Sequence, residues 1–221
     1  MTERLFTDEE MKAMSTRTRD LIDAAIDAGD KETAKKLNHR MYAEFLPMHD
    51  LYLNWVTGLL SHVYRSHGDK GLHQALSDSC TVWWKPFAEQ YAKSSARERT
   101  ELFAWGLRGH LQPLEITEDD EKITFKMIPC GSGGRLVLSD SYARPQNLAK
   151  IEKAQPMSYG REDFPTYCAH CAIMEILSIK WVGAPMVVII PPDRLGHEPC
   201  RFCIYKDPEK IPGEYRRRTG S

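Results

Sequence analysis

No apolar run in this chain of 221 residues approaches the ~20 residues that a membrane-spanning helix requires. The opening stretch from Met1 to Glu10 lacks the apolar core of a secretory signal. An excess of one charge is missing too. Lysine and arginine number 30 against 31 aspartate and glutamate, for a net charge of −1. Such a balance gives no basic face for nucleic acid. The one basic run, Arg216-Arg217-Arg218, reads as a solvated end. Neither an internal repeat nor a low-complexity segment is visible. Together these absences predict a cytoplasmic protein with no membrane and no nucleic-acid partner; they leave oligomeric state open.

What is present is an ordinary globular composition, 42% hydrophobic and 28% charged. The length suffices for a core without disulfide staples. Cytoplasmic thiols stay reduced, so the six cysteines read as metal or reactive sites before disulfides. The expected organisation is a helical extension over residues 1–45, one α+β domain over 46–206, and a polar tail over 207–221.

The first half is helical in pattern. Thr7 caps a helix over residues 7–29, with Glu10 as its capping-box partner and Gly29 as its stop. A charged helix over 30–45 reads as an outer, solvated element. Pro47 suits the first turn of a third helix, in which Leu51, Trp55, Leu59 and Val63 recur every four residues until Gly68. His49 and Asp50 fall at its beginning, where the helix dipole favours Asp50 and either side chain could face a pocket. Further helices are expected over 69–92, with Cys80 as a small core residue, and over 96–111, ending at Arg108-Gly109-His110. His110 is either a helix-end histidine or a site residue.

After Pro113 the period changes. Residues 114–117 and 122–128 alternate as strands around an acidic turn. Residues 140–163 look irregular, with one short helix near Leu148 and Ile151. A helix then runs from Pro165 or Thr166 to Trp181, ended by Gly183. An apolar strand over 186–190 and a return strand over 200–206 flank a proline-rich loop. Hairpin-joined strands need no parallel crossover. The fold class is therefore α+β, a helical N-terminal half packed on a small antiparallel sheet with one cysteine-bearing helix.

Five of the six cysteines follow residue 129. Cys130 ends a strand and opens Gly131-Ser132-Gly133-Gly134-Arg135. Glycines let a backbone approach a ligand, and successive amides can hold an oxyanion. Ser132, Gly133 and Arg135 are thus candidate substrate contacts, Arg135 as a carboxylate clamp; a plain glycine turn is the alternative. Cys168 and Cys171 share one helix face in a first turn, where the dipole would lower a thiol pKa. His170 projects to another side and serves a thiolate only if the helix begins later. Cys168-x-x-Cys171 and Cys200-x-x-Cys203 suggest zinc. Strand alternation, however, sends Cys200 and Cys203 to opposite faces.

A strand ending in Cys130, a helix bearing Cys168 and Cys171, and the closing Gly196-His197-Glu198-Pro199-Cys200-Arg201-Phe202 together resemble the bacterial L-2-amino-thiazoline-4-carboxylic acid hydrolase family. The likeness extends more remotely to the 4-vinyl reductase domain. It implies a small-molecule hydrolase acting on a C–N or C–S bond. The Cys130 turn and the Tyr167-Cys168-Ala169-His170-Cys171 block depart from that pattern, so the family's substrate does not carry over. In a thiol version Cys130 attacks and His49 or His170, with Asp50 near, moves the proton. In a metal version Cys168 and Cys171 with His110 or His49 hold zinc and activate water. The competing readings are a non-enzymatic ligand-binding or sensor domain and a structural-zinc module.

Overall fold

The computed structural model describes residues 4–218. The chain forms two compact units, Met1–Tyr52 and Leu53–Ser221.

The first unit holds α1 (Asp8–Ser15), α2 (Thr18–Asp27) and the beginning of α3 (Lys31–Lys93). Thr7 and Glu10 form the expected capping box. The single helix expected over 7–29 is in fact two, broken where Thr16 and Arg17 turn extended. Thr18 donates to Glu44 at 2.7 Å and Asp30 accepts from the Thr33 amide at 3.0 Å.

α3 corrects two expectations. Pro47 starts no new helix, because α3 runs straight through it. His49 and Asp50 therefore lie mid-helix, away from any dipole end, and Nδ1 of His49 sits 3.2 Å from Asp50 Oδ1. The helix is interrupted only at Gly68, whose φ of 64° a side chain would resist. Between Leu53 and Gly68 the apolar stripe is not the buried face. Leu53, Thr57 and Ser61 are buried, whereas Trp55 and Leu59 are exposed. The small hydroxyl side chains admit the backbone of a loop, and the Ala149 amide donates to Ser61 Oγ at 2.9 Å. Close approach there outweighs the hydrophobicity of the bulkier stripe.

The second unit adds α4 (Ala96–Arg108), β1 (Leu114–Glu118), β2 (Lys122–Met127), α5 (Gly133–Leu138), β3 (Lys150–Ile151), β4 (Phe164–Pro165), α6 (Ala169–Val182), β5 (Val188–Ile190), β6 (Arg201–Tyr205) and α7 (Gly213–Arg216). Four strands form an antiparallel sheet in the order β1-β2-β6-β5. One core joins its inner face to the late part of α3 and to α4, through Trp84, Tyr91, Leu107, Phe125, Phe202 and Ile204. Tyr91 donates its hydroxyl to the Met186 carbonyl at 2.8 Å, fixing α3 beside β5. The α+β class stands.

Three local expectations change. The glycine turn after Cys130 is the start of α5. No helix forms near Leu148 and Ile151; Ile151 pairs with Phe164 in a two-stranded ribbon. The tail is not wholly solvated: Ile211 is buried with Val188, Cys203 and Tyr205, and Arg218 reaches buried Glu175. Residues 219–221 of that tail lie outside the described residues. No helix among the described residues is long and apolar enough to cross a membrane.

Candidate functional site

All the walls of the cavity of about 190 Å³ come from the second unit. α3 and α4 give Trp84, Phe103 and Leu107; the sheet gives Met127, Ile189 and Phe202. Polar groups arrive from two places. His110, Cys130 and Ser132 follow α4 and β2, while His170, Cys171 and Glu175 come from one side of α6. A smaller hollow of about 30 Å³ shares Cys130, Ser132, His170 and Cys171 and adds Gly133, Tyr159, Cys168 and Cys200. Four thiols from three separated segments thus gather around one hollow.

Of the candidates from the sequence, Cys130, Ser132, Gly133, His110, His170, Cys168 and Cys171 line one or both spaces. Arg135 is carried by α5 and lines neither. His49 and Asp50 belong to the first unit and pair with each other. Sequence reasoning missed Glu175 and Tyr159. Glu175 could have been found as the one carboxylate in the apolar run from Ala169 to Ile179, since such a charge must be either a surface or a partnered site.

Local geometry explains the arrangement. A 3₁₀ turn at Thr166–Cys168 precedes α6, so the helix proper begins at Ala169, later than the periodicity predicts. The shift lets His170 fold back on that turn. Its Nδ1 lies 2.6 Å from the Tyr167 carbonyl and its Nε2 lies 3.4 Å from Cys171 Sγ. A carbonyl can only accept, so Nδ1 carries the proton and Nε2 of the neutral ring is the basic nitrogen. Cys171 therefore faces an oriented base. At the other wall, space is tight enough to require glycine. A Cβ on Gly133 would stand 2.5 Å from Cys168 Sγ, and one on Gly134 would stand 2.7 Å from Cys130 Cβ.

Electrostatics overturns the dipole expectation. Burial pushes the Cys168 and Cys171 thiols well above their ordinary range, and the neighbouring thiols push the same way. Burial likewise raises Cys200 to about 12 and lowers His170. A helix end offers only about half a unit charge, too little against the loss of solvent around a thiolate. The resting pair is thus a neutral thiol and a neutral imidazole. Burial also raises Glu175 to about 7, although Arg218 Nη1 lies 3.1 and 3.2 Å from its two oxygens and opposes the shift.

The expected zinc ligands do not assemble. Cys168 lines only the small hollow and His110 only the large cavity. Among the described residues no group of three or more histidine, cysteine, aspartate or glutamate side chains is arranged to hold a metal ion. Cys203, on the far face of β6, contacts Thr124 Oγ1 at 3.7 Å, in keeping with strand alternation.

Compared with known proteins, the chain matches no family model, no curated protein and no solved structure.

Proposed function

We propose that this chain is a cytoplasmic small-molecule hydrolase that cleaves an acyl C–N or C–S bond with Cys171 as nucleophile and His170 as base. The observation that carries the reading is the oriented contact of Cys171 Sγ with His170 Nε2 on the wall of a ligand-sized cavity. A nucleophile, a base and a group that orients the base are the parts such catalysis needs. The resemblance to the thiazoline-carboxylate hydrolases agrees in reaction class, and six free thiols suit a reducing compartment.

The steps balance. Cys171 gives its proton to His170 Nε2 while sulfur bonds to the substrate's acyl carbon. The amine or thiol leaves with that proton, and an acyl-sulfur bond remains. Water then attacks the acyl carbon, His170 takes its proton, and the thiol returns with release of the acid. The small hollow has room for about one water. The Tyr159 hydroxyl on its wall is buried close enough to the Glu175 carboxylate to favour its charged form, and its oxygen can still accept a hydrogen bond from that water. Cys130, on the facing wall, closes the site as a second thiol.

The test is turnover of neutral aryl amides and aryl thioesters, with intact-mass detection of acylated protein. Cys171→Ser and His170→Asn are expected to lower kcat at least 100-fold. Tyr159→Phe should let acyl-enzyme accumulate. Full activity in Cys171→Ser overturns the reading. So does stoichiometric metal in protein purified without chelator and lost in Cys200→Ser, which would assign the four thiols to a metal instead.

A further inference from the structure

The cavity that presents Cys171 also says what can enter it. We infer that it takes an uncharged, single-ring aromatic or heteroaromatic acyl compound and rejects carboxylates; the acyl part of this statement rests on the hydrolase reading, the ring and charge selection does not.

Size is the first argument. An apolar cavity of roughly 150 Å³ holds benzene, and this one measures about 190 Å³. One ring with a few further atoms fills it; two fused rings bearing an acyl group do not. Shape and chemistry are the second. Trp84, Phe103 and Phe202 supply ring surfaces, and Met127 and Met174 supply the thioethers that pack well at ring edges. Phe103 and Phe202 are already tilted against each other at 5.8 Å between centroids, which holds that side of the cavity rigid.

Charge is the third argument and the most selective. No lysine or arginine lines the cavity. The Arg218 guanidinium, which meets Glu175 of the cavity wall, is committed to both oxygens of that carboxylate and to the Ile189 carbonyl at 2.8 Å. A carboxylate inside would therefore lose its water without meeting a permanent cation, since His110 and His170 are the wall's remaining basic groups, and it would face Glu175 and two thiols. An unpaired buried charge of this kind is strongly disfavoured. An ammonium fares little better, since Arg218 already occupies Glu175, the single carboxylate that the described residues place on the wall. A neutral carbonyl or thiocarbonyl has the opposite balance: Ser132 and the His170 and Cys171 pair offer polar contacts, and the rest of the molecule meets apolar surface. This selection sets the chain apart from a hydrolase of a carboxylate-bearing ring.

Binding at pH 8 to the full chain tests it, read by quenching of tryptophan fluorescence and by saturation-transfer NMR, with benzamide, thiobenzamide, benzoate, benzylamine and 2-naphthamide as probes. Benzamide and thiobenzamide should bind at least 100-fold tighter than benzoate, and at least 10-fold tighter than benzylamine or 2-naphthamide. Val187→Phe and Leu107→Phe, each filling the cavity from a different wall, should abolish benzamide binding; circular dichroism verifies that each variant is folded, and two variants guard against one failing. Benzoate binding as tightly as benzamide, no binding by either neutral probe, or unchanged binding in a folded filled variant would each overturn the inference. Tight neutral binding with no turnover of thiobenzamide or phenyl thioacetate would leave the selection standing and sink the hydrolase reading alone.

Discussion

Burial governs the chemistry of single residues here. Cys171 sits at the third position of α6, where a helix end by itself would favour thiolate, yet loss of solvent and the nearby Cys168, Cys130 and Cys200 raise its pKa. His170 beside it is lowered by the same burial. An imidazole that gives up its proton easily and a thiol that keeps its own make a neutral resting pair, so thiolate forms there only by proton transfer to His170 or to solvent. Reactivity toward a small alkylating agent follows from the sign of the shift. Because the thiolate fraction rises tenfold per unit while pH stays below the pKa, iodoacetamide labelling of Cys171 should climb continuously from pH 7 to pH 9. Peptide mass mapping reads this; a plateau below pH 8 would contradict it.

Elements are positioned by small side chains as much as by large ones. α3 turns Leu53, Thr57 and Ser61 inward because the loop at Ala149 must come within hydrogen-bonding distance, and Leu53 packs with Leu136 of α5 and Leu148. Thr57 and Ser61 return their hydroxyls to the carbonyls of Leu53 and Thr57, each at 2.6 Å, so the buried polar groups are satisfied within the helix. Leu53→Ala should cost about 2–4 kcal/mol in urea denaturation. Leu59→Ala, at a position 56% exposed, should stay within about 0.5 kcal/mol. Equal costs would mean that the face has been assigned wrongly. The capping box at Thr7 and the stop at Gly183 were legible because each depends on local hydrogen bonding. The start of α6 was not, since the 3₁₀ turn ahead of it answers to the buried Thr166, whose hydroxyl donates to the Ala149 carbonyl at 2.9 Å.

For the whole molecule, the chain's late residues tie the site to the sheet. Arg218 spans Glu175 on α6 and the Ile189 carbonyl on β5, and its guanidinium lies 4.3 Å from the Tyr215 ring centre and 5.3 Å from that of Tyr159. Glu175 is raised from 4.5 to about 7 in the folded protein. Between those values the folded state keeps a proton that the unfolded chain has lost, so this group's contribution to stability falls as pH rises through the window. At about 1.4 kcal/mol per unit the loss amounts to about 3 kcal/mol at most. Denaturation of Glu175→Gln across pH 4.5 to 8 should show a flatter decline than the parent protein. Parallel curves would remove Glu175 from the account.

Sequence alone determined the class of fold. Alternation in residues 122–128 and 200–206 dictated which side chains share a sheet face, because period two is a property of any extended chain. Clustering of cysteines after residue 129 marked where a thiol-rich site would lie, without choosing between thiol and metal chemistry. Only tertiary structure decided which thiol meets which base. Cys130, Cys168, Cys171 and Cys200 come together through packing of β2, α6 and β6, contacts between residues distant in the chain that no local pattern encodes. It also decided that the tail's Arg218 would neutralise a buried glutamate, and that thiols at a helix start would be harder to ionise than usual, since desolvation depends on everything packed around a group rather than on its neighbours in sequence.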